Sequence, residues 1–293
     1  MRKAILTVGA ACLLASVMAS SALASPSTYQ HFTARVIGKA GTVKKPSSIG
    51  TYLSPWHTFG IAGGKQNTGG LNTGAIVEEP FATVKAHIYM PKEITLATTG
   101  FPQCKDTVAL KTPDKCPKGS EIGQGVAAGF GRNSKTSQVG TYALTTALTV
   151  RVFILTDKNT IALRTYSGAT KEGLIKGVIK KASGAQAAEY KTDIEFSIPS
   201  GLIEPLKGVI SQLSSFDSTI KAAKNKKGKA LQTLSGCPAN GKLKFGYNGI
   251  YNIRLDKTTQ PLYTAPALDG GVGKQFSINE VGPIVTSEAT CTK

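Results

Sequence analysis

The sequence predicts an all-β, antiparallel protein that folds as a two-sheet, jelly-roll-like sandwich and is stabilised by disulfides. Three observations support this. Apolar and polar side chains alternate over many short stretches, turn residues separate these stretches, and almost none of them has helical periodicity. About ten short strands with turn signals between them are typical of sandwiches. We expect a single secreted domain over residues 25–293, with a glycine-rich loop region at about 38–80.

The strands are predicted from alternation with a period of two. In the clearest one, residues 82–90, Val84 and Ile88 share a face with other apolar residues, while Lys85, His87 and Tyr89 lie opposite. One buried and one wet face is the antiparallel pattern. The predicted strands, in order, are 32–36, 82–90, 121–128, 140–156, 161–166, 174–181, 189–198, 243–247, 250–255 and 275–278.

Three connections carry more specific expectations. Residues 38–80 are predicted to be largely irregular, with short strands near 57–61 and 75–77. Residues 201–222 predict a short helix followed by a strand. Asn248-Gly249 is a strong tight-turn pair and predicts a hairpin at that point.

The first 24 residues have the pattern of a cleaved signal peptide. Arg2 and Lys3 precede an apolar run, and Ala22-Leu23-Ala24 is the small-x-small pattern that signal peptidase accepts. We expect cleavage after Ala24. No later stretch reaches the roughly 18 apolar residues of a membrane span. The expected location is therefore extracellular or cell-envelope-associated, with no transmembrane segment.

Export makes the four cysteines that follow the signal peptide candidates for disulfides, because exported proteins fold in an oxidising compartment. Of the three possible pairings we favour Cys104–Cys116, which brackets a proline-rich loop, and Cys237–Cys291, which ties the C-terminal tail to the body. Free thiols or a four-cysteine zinc site are the alternatives. The C-x₂-C spacing of structural zinc sites is missing.

Charge is the second strong constraint on function. The formal net charge is +18, and lysine supplies most of it. Specific nucleic-acid recognition relies on the bidentate guanidinium of arginine, whereas a lysine field favours salt-sensitive attraction to polyanions. The binding candidates are Trp56, His57 and a lysine cluster consisting of Lys221, Lys224, Lys226, Lys227 and Lys229. A merely solvated basic surface is the alternative.

Catalytic patterns are weak. The chain has no Gly-x-Ser-x-Gly elbow, and its three histidines lack metal-ligand spacing. Gly123-x-Gly125 superficially resembles a phosphate loop, but close backbone approach within a strand, or a bulge, explains these glycines better. Asp193 and Glu195 lie on one face of a strand, as paired acids do in some glycosidases, and are a weak catalytic alternative. An ordinary solvated face beside many lysines is the favoured interpretation of this pair. We expect no cofactor and no metal.

Several motifs together resemble a group of secreted, β-rich actinobacterial proteins without an assigned activity. The motifs are Phe-Pro-x-Cys at 101–104, Cys-Pro-x-Gly-Ser at 116–120, Ile-Gly-x-Gly at 122–125 and Cys237-Pro, and the likeness covers roughly residues 80–255. The resemblance implies a disulfide-stabilised extracellular β domain. It brings no catalytic residue with it.

Two hypotheses of different classes follow. The first is a non-catalytic, envelope-associated protein, monomeric or weakly associated, that binds anionic polysaccharide, cell-wall polymer or other glycan surfaces. The second is a jelly-roll polysaccharide lyase or glycoside hydrolase that acts on an acidic glycan. Converging carboxylates in a concave, aromatic-lined face would favour the second.

Overall fold

The computed structural model describes residues 27–37, 47–61, 79–80, 82–133, 144–167, 170–205, 209–256 and 275–291. The predicted signal peptide and much of the predicted loop at 38–80 lie outside these ranges. Within the described residues the chain forms sixteen strands and two short α-helices, α1 (Asp106–Lys111) and α2 (Ser200–Ile203). The predicted all-β, antiparallel class is confirmed.

The strands are, in chain order, β1 (Ser27–Ile37), β2 (Ser47–Ser48), β3 (Gly50–Ile61), β4 (Glu79–Pro80), β5 (Ala82–Pro91), β6 (Ile94–Leu96), β7 (Glu121–Asn133), β8 (Leu144–Ile154), β9 (Thr160–Ser167), β10 (Thr170–Lys181), β11 (Tyr190–Ser197), β12 (Val209–Ile220), β13 (Gln232–Leu234), β14 (Lys242–Asp256), β15 (Gln275–Val281) and β16 (Val285–Thr290).

Most strands belong to one folded sheet. Its order is β1-β3-β12-β7-β8-β9-β10-β11-β5-β14-β15, with β16 beside β14 and β4 beside β3. The stretch from β7 to β11 is a plain meander, whereas β5 and β12 are inserted from distant parts of the chain. A second, small sheet has the order β2-β13-β6.

The two ends of the large sheet approach each other. The backbone amide of Ala34 in β1 donates to Ser287 Oγ in β16 at 2.9 Å, and the rings of Phe32 and Tyr247 lie 5.8 Å apart. The buried Gln30 side chain donates to the Pro283 carbonyl at 2.7 Å. Its oxygen accepts hydrogen bonds from the Gly249 amide and the Tyr251 hydroxyl, at 3.0 and 2.9 Å. Opposite parts of one sheet thus form the two layers around a common core.

The core follows the predicted alternation. Val150, Val152 and Ile154 of β8 are buried within the sheet, and Ile194 and Phe196 of β11 join them. The same cluster takes residues from β1, β3, β5, β7, β9, β10, β12 and β14. Burying these side chains is the main stabilising contribution, about 1.5–3 kcal/mol for each large one.

Two glycines allow a close approach between β7 and β12. A Cβ at Gly123 would lie under 3.0 Å from the Thr219 carbonyl oxygen, and one at Gly125 equally close to that of Asp217. Both neighbours are backbone atoms of the paired strand. The prediction that these glycines serve a close backbone approach is confirmed.

Both predicted disulfides are present. Cys104–Cys116 closes a 12-residue separation and Cys237–Cys291 one of 54 residues, with Cα–Cα distances of 5.2 and 5.4 Å. The loop between Cys104 and Cys116, which we call the clamped loop, contains α1 and packs on Phe153 and Leu155. Both disulfides lie at the end of the sheet where the small sheet also lies, beyond the last residues of β5, β8 and β12.

Two local predictions need correction. The sequence predicts irregular structure at 50–56 and a short strand only near 57–61, yet residues 50–61 form one long strand, β3, paired with β1 on one side and β12 on the other. Asn248-Gly249 does not form a turn, because β14 runs unbroken past it. Gly249 instead leaves room for the Tyr251 ring, which a Cβ would clash with, and Asn248 donates to the Gly282 carbonyl. The predicted helix followed by a strand at 201–222 is confirmed by α2 and β12.

Candidate functional site

A charged cluster lies on the outer face of β10, β11 and β5. Because side chains alternate along a strand, the burial of Ile194 and Phe196 turns Asp193 and Glu195 to the opposite face. In the antiparallel register, Glu195 is opposite His87 of β5 and Asp193 is opposite Lys180 of β10. The fold therefore brings the two predicted acids beside groups that are far away in sequence.

Each carboxylate of this outer-face cluster meets basic groups. His87 Nδ1 is 3.0 Å from Asp193 Oδ1, and Lys85 Nζ is 3.1 Å from Glu195 Oε1. Lys180 Nζ pairs with the second oxygen of Glu195 and lies 3.7 Å from Asp193 Oδ2. The cluster is thus a network in which one ammonium group bridges both acids.

The network shifts the acid–base properties of its members. The hydrogen bond from Lys180, helped by that from Lys85, lowers the pKa of Glu195 to about 2 in spite of its partial burial. Burial, together with the negative charge of Asp193, raises the pKa of Tyr89 to about 12. Glu195 is therefore ionised at neutral pH and has no proton to donate as a general acid.

His87, Asp193 and Glu195 are also the one group in the described residues with metal-ligand geometry, with ligand atoms within 4.8 Å of one another. One imidazole and two carboxylates suit zinc or a similar ion. However, Lys180 contacts both carboxylates, so a metal ion would have to displace an ammonium group that already neutralises them. The contacts fit a structural network better than a metal centre.

Sequence reasoning described this face incompletely. Asp193 was expected on a solvated face, but it is only 6% exposed. His87 was treated as a surface residue, yet it is partly buried and pairs with Asp193. Lys85 and Lys180 were not singled out. The alternation placed these side chains outward, but no sequence signal shows that β5 and β11 are neighbours.

The outer-face cluster predicts a specific pH dependence of stability. Because the folded-state pKa of Glu195 is depressed from 4.5 to about 2, its contribution is fully present above about pH 4.5 and is lost as the pH falls toward 2. The shift corresponds to at most about 3 kcal/mol, which partial exposure reduces to about 1–2 kcal/mol. Urea unfolding should show Glu195→Gln less stable by that amount at pH 6 and the gap closing near pH 2.

The matched control for this measurement is Glu288→Gln, which neutralises an exposed carboxylate on β16. It should change the free energy of unfolding by less than about 0.5 kcal/mol at either pH. A Glu195→Gln gap of equal size at pH 6 and pH 2 would contradict the lysine pairing as its cause.

The predicted lysine cluster lies on a turn with defined hydrogen bonds, which we call the basic turn (residues 221–229). Asn225 is buried, and its Oδ1 accepts hydrogen bonds from the amides of Lys227 and Lys229, both at 3.0 Å. The Gly228 amide donates to the Asn225 carbonyl at 2.9 Å, and Gly228 has φ +75°. The buried Asn225 side chain thus orders the backbone of the basic turn.

The basic turn is part of a larger basic surface. Its start is joined to β7 by the Lys221 amide, which donates to the Ile122 carbonyl at 2.8 Å, and Asn225 lies against Gly100, just before the clamped loop. Eleven exposed lysines lie in the described loops at this end, which we call the basic end: Lys92, Lys105, Lys111, Lys115, Lys118, Lys158, Lys221, Lys224, Lys226, Lys227 and Lys229.

Acidic residues at the basic end are mostly neutralised by cations from the strands. Asp106 and Asp157 both pair with Lys176, Asp114 pairs with Arg151, and Glu189 with Lys244. In the part of the chain that the structure describes, none of the five lysines of the basic turn has a carboxylate partner. The basic end therefore keeps its positive charge available to a ligand.

Trp56 and His57 do not belong to this surface. They lie within β3, where Trp56 is paired with His31 and Ser215 and His57 with Gln30. Trp56 is six residues from the start of β3 at the basic end, about 20 Å along the strand. The predicted binding residues thus do not form one site, and only the lysines come together.

A polar depression of about 570 Å³ crosses the outer face of β3, β12, β7 and β8. Its lining includes Tyr52, Gln124, Thr149 and two carboxylates, Glu121 and Asp217. Glu121 forms an ion pair with Arg151 at 2.6 Å, and Asp217 accepts a hydrogen bond from the Ser54 hydroxyl. Two carboxylates in its lining make this depression unsuitable for a polyanion. The basic end is therefore the better candidate for binding one.

No protein-family model matches this chain. A search of curated proteins gives no match either. Among the described helices, none has the length and apolar character needed to span a membrane. The resemblance to secreted actinobacterial proteins stays a prediction.

Proposed function

We propose that this protein is exported and binds polyanionic surfaces of the cell envelope, such as acidic polysaccharide or cell-wall polymer, through its basic end. The single observation that carries the proposal is the set of five lysines on the ordered basic turn, unpaired with acids in the described residues and adjacent to the lysine-rich clamped loop. Because the backbone of the basic turn is already ordered, less conformational entropy is lost on binding a polymer than with a flexible loop.

The chemistry of the basic end favours a polymer of repeated charges over a specific nucleic-acid site. Of the arginines whose side chains are described, Arg151 pairs with Glu121 and Asp114. Arg35 lies over the Tyr52 ring, and Arg164 donates to the Leu110 carbonyl. Their guanidinium groups are engaged within the fold. Lysine is therefore the residue available for binding. Its ammonium group is a strongly hydrated point charge that attracts anions without recognising their geometry.

The hydrolase or lyase alternative finds less support in the outer-face cluster. Inverting and retaining glycosidases both need a carboxylic acid that is protonated when the leaving group departs. Glu195, with a pKa of about 2, does not meet this requirement. The carboxylate oxygens of Asp193 and Glu195 already contact His87, Lys85 and Lys180.

Export is part of the same proposal. The two disulfides, within the described chain, suit an oxidising compartment, and the first 24 residues have the composition of a signal peptide. An extracellular location places the basic end in contact with anionic envelope polymers and not with cytosolic nucleic acid.

The test compares two variants that each lose five lysines. The first changes Lys221, Lys224, Lys226, Lys227 and Lys229 to Gln. The control has the same number of changes at lysines elsewhere in the sequence, outside the described residues: Lys65, Lys135, Lys207, Lys257 and Lys274 to Gln. Binding to heparin and to purified anionic wall polymer is measured by titration at two salt concentrations. At roughly 0.3–1 kcal/mol for each exposed contact, the basic-turn variant should bind at least about tenfold more weakly, and its affinity should depend less on salt.

Both variants carry the same net charge, so they separate a defined surface from a general charge effect. Equal weakening by the two variants would contradict a site at the basic turn. Unchanged affinity in the basic-turn variant would contradict the proposed function altogether. Circular dichroism of each variant checks that the fold is intact.

A further inference from the structure

The interior of the folded sheet contains two adjoining apolar voids. The first, of about 60 Å³, lies among Ile88, Val152, Ile194 and Tyr247 at the centre of the core. The second, of about 100 Å³, lies toward α2 and is lined by Ala127, Leu148, Leu202 and Ile203. Five residues line both voids, so the voids adjoin one another there: Thr83, Ile175, Ile198, Leu213 and Phe216.

Voids of this size are unusual, because protein cores pack as densely as organic crystals and leave few gaps larger than a water molecule. The lining is mostly apolar, and its polar residues are Thr83, Thr165, Ser211 and Ser218. A water molecule needs two to four polar partners to be stable in such a place, and apolar cavities remain dry and take up apolar ligands instead. The composition of the lining therefore favours an apolar occupant over solvent.

The helix α2 covers the outer end of the second void. Leu202 extends over Gly173 of β10, where a Cβ would clash with the leucine side chain. Ile203 is buried against Ala82. The backbone amides of Leu202 and Ile203 donate to the Pro199 carbonyl, at 2.8 and 3.2 Å. Four residues of helix thus separate the void from the surface at this end.

We propose that this interior cavity is a binding site for one compact apolar molecule, of the size of a benzene ring or a chain of about six carbons. An engineered cavity of about 150 Å³ with similar lining binds benzene, which sets the scale. Thr165 and Ser211 bring hydroxyl groups to the α2 end, where a ligand with one neutral polar group places that group. This site is independent of the basic end and of the function proposed for it.

Charged ligands are excluded by the same lining. Moving a carboxylate into an apolar interior without a partner costs far more than its ring gains from burial. Benzene and benzoate therefore form a pair of probes of nearly equal size and opposite expectation. Benzene should bind in a saturable manner, and benzoate should not reach the interior.

The experiment follows the methyl resonances of Ile175 and Leu213 by NMR during titration of the full mature chain with benzene or benzoate. Ala127→Leu places additional carbons in the second void, and we expect it to weaken benzene binding at least about tenfold, since the space is then filled. The matched control, Ala147→Leu, adds the same carbons on the exposed outer face of β8. It should change the affinity less than about twofold.

A second variant keeps the proposal testable even if Ala127→Leu does not fold. Leu202→Ala enlarges the void beneath α2, so it should bind naphthalene at least about threefold more tightly than the wild-type protein does. The proposal is overturned if benzene produces no saturable methyl shifts in the wild-type protein. It is also overturned if folded Ala127→Leu binds benzene like the wild type, or if Leu202→Ala gains no affinity for naphthalene.

Discussion

Gly125→Ala is expected to destabilise the protein by at least about 3 kcal/mol, more than most single substitutions do. The added methyl group would lie under 3.0 Å from the carbonyl oxygen of Asp217. That oxygen belongs to the backbone of β12, which pairs with β7 through this region, so it cannot rotate away as a side chain would. Relief requires β12 to move, and Phe216 and Ile220 of the core move with it.

Chemical denaturation followed by tryptophan or tyrosine fluorescence measures this effect. Gly201→Ala is the matched control, because no heavy atom lies within 4 Å of a Cβ at that position. In α2 the same change is neutral or stabilising by up to about 1 kcal/mol. A Gly125→Ala protein as stable as the Gly201→Ala protein would show that β7 and β12 can separate at little cost, contrary to the close approach described here.

The glycines of β7 also show how much of the fold can be predicted from the sequence. Gly123 and Gly125 lie in a stretch with strand-like alternation and no following helix, so close backbone approach was the better explanation. Local patterns of this kind also predict the inward faces of β8 and β11 correctly, and that of β5 except at Thr83, which is buried and lines the interior. Alternation with a period of two involves only residues that are neighbours in sequence, so strands and their inward faces can be predicted from it without knowing the rest of the fold.

Other elements are only partly predictable from local patterns. The strand β3 contains Pro55 and is flanked by glycine-rich sequence, which locally indicates a loop, and only residues 57–61 of it are predicted as a strand. It becomes a strand because β1 and β12 supply hydrogen-bonding partners on both sides. At Asn248-Gly249 the local turn preference is likewise overridden, since the Tyr251 ring needs the space above Gly249. In both cases tertiary context decides against local propensity.

The candidate sites divide in the same way. The lysines of the basic turn are neighbours in sequence, so composition alone identified them, although the ordering role of Asn225 was missed. The outer-face cluster needs His87 and Asp193, which are 106 residues apart, on adjacent strands. Pairing between non-consecutive strands leaves no local sequence pattern. The sequence therefore identifies the two acids but not the lysines that neutralise them.

Removal of the Cys237–Cys291 disulfide is expected to have the largest effect on stability of all the changes considered. In the chain-entropy model, closing a separation of 54 residues contributes about 4 kcal/mol, and closing the 12 residues between Cys104 and Cys116 about 3 kcal/mol. The Cys237–Cys291 disulfide also anchors the end of β16, because Cys291 directly follows that strand. Its amide donates to the Gly241 carbonyl at 2.8 Å.

The double variants Cys237→Ala/Cys291→Ala and Cys104→Ala/Cys116→Ala serve as each other's control in guanidinium unfolding. We expect the first pair to lose more stability, and hydrogen exchange in its β16 amides, including Ser287, to become faster than in the rest of the sheet. The clamped-loop pair should instead expose α1 and leave β16 protected. If the first variant loses less than about 1 kcal/mol, pairing with β14 and the contacts with β1 hold β16 by themselves, and the disulfide does not secure the approach of the two ends of the sheet.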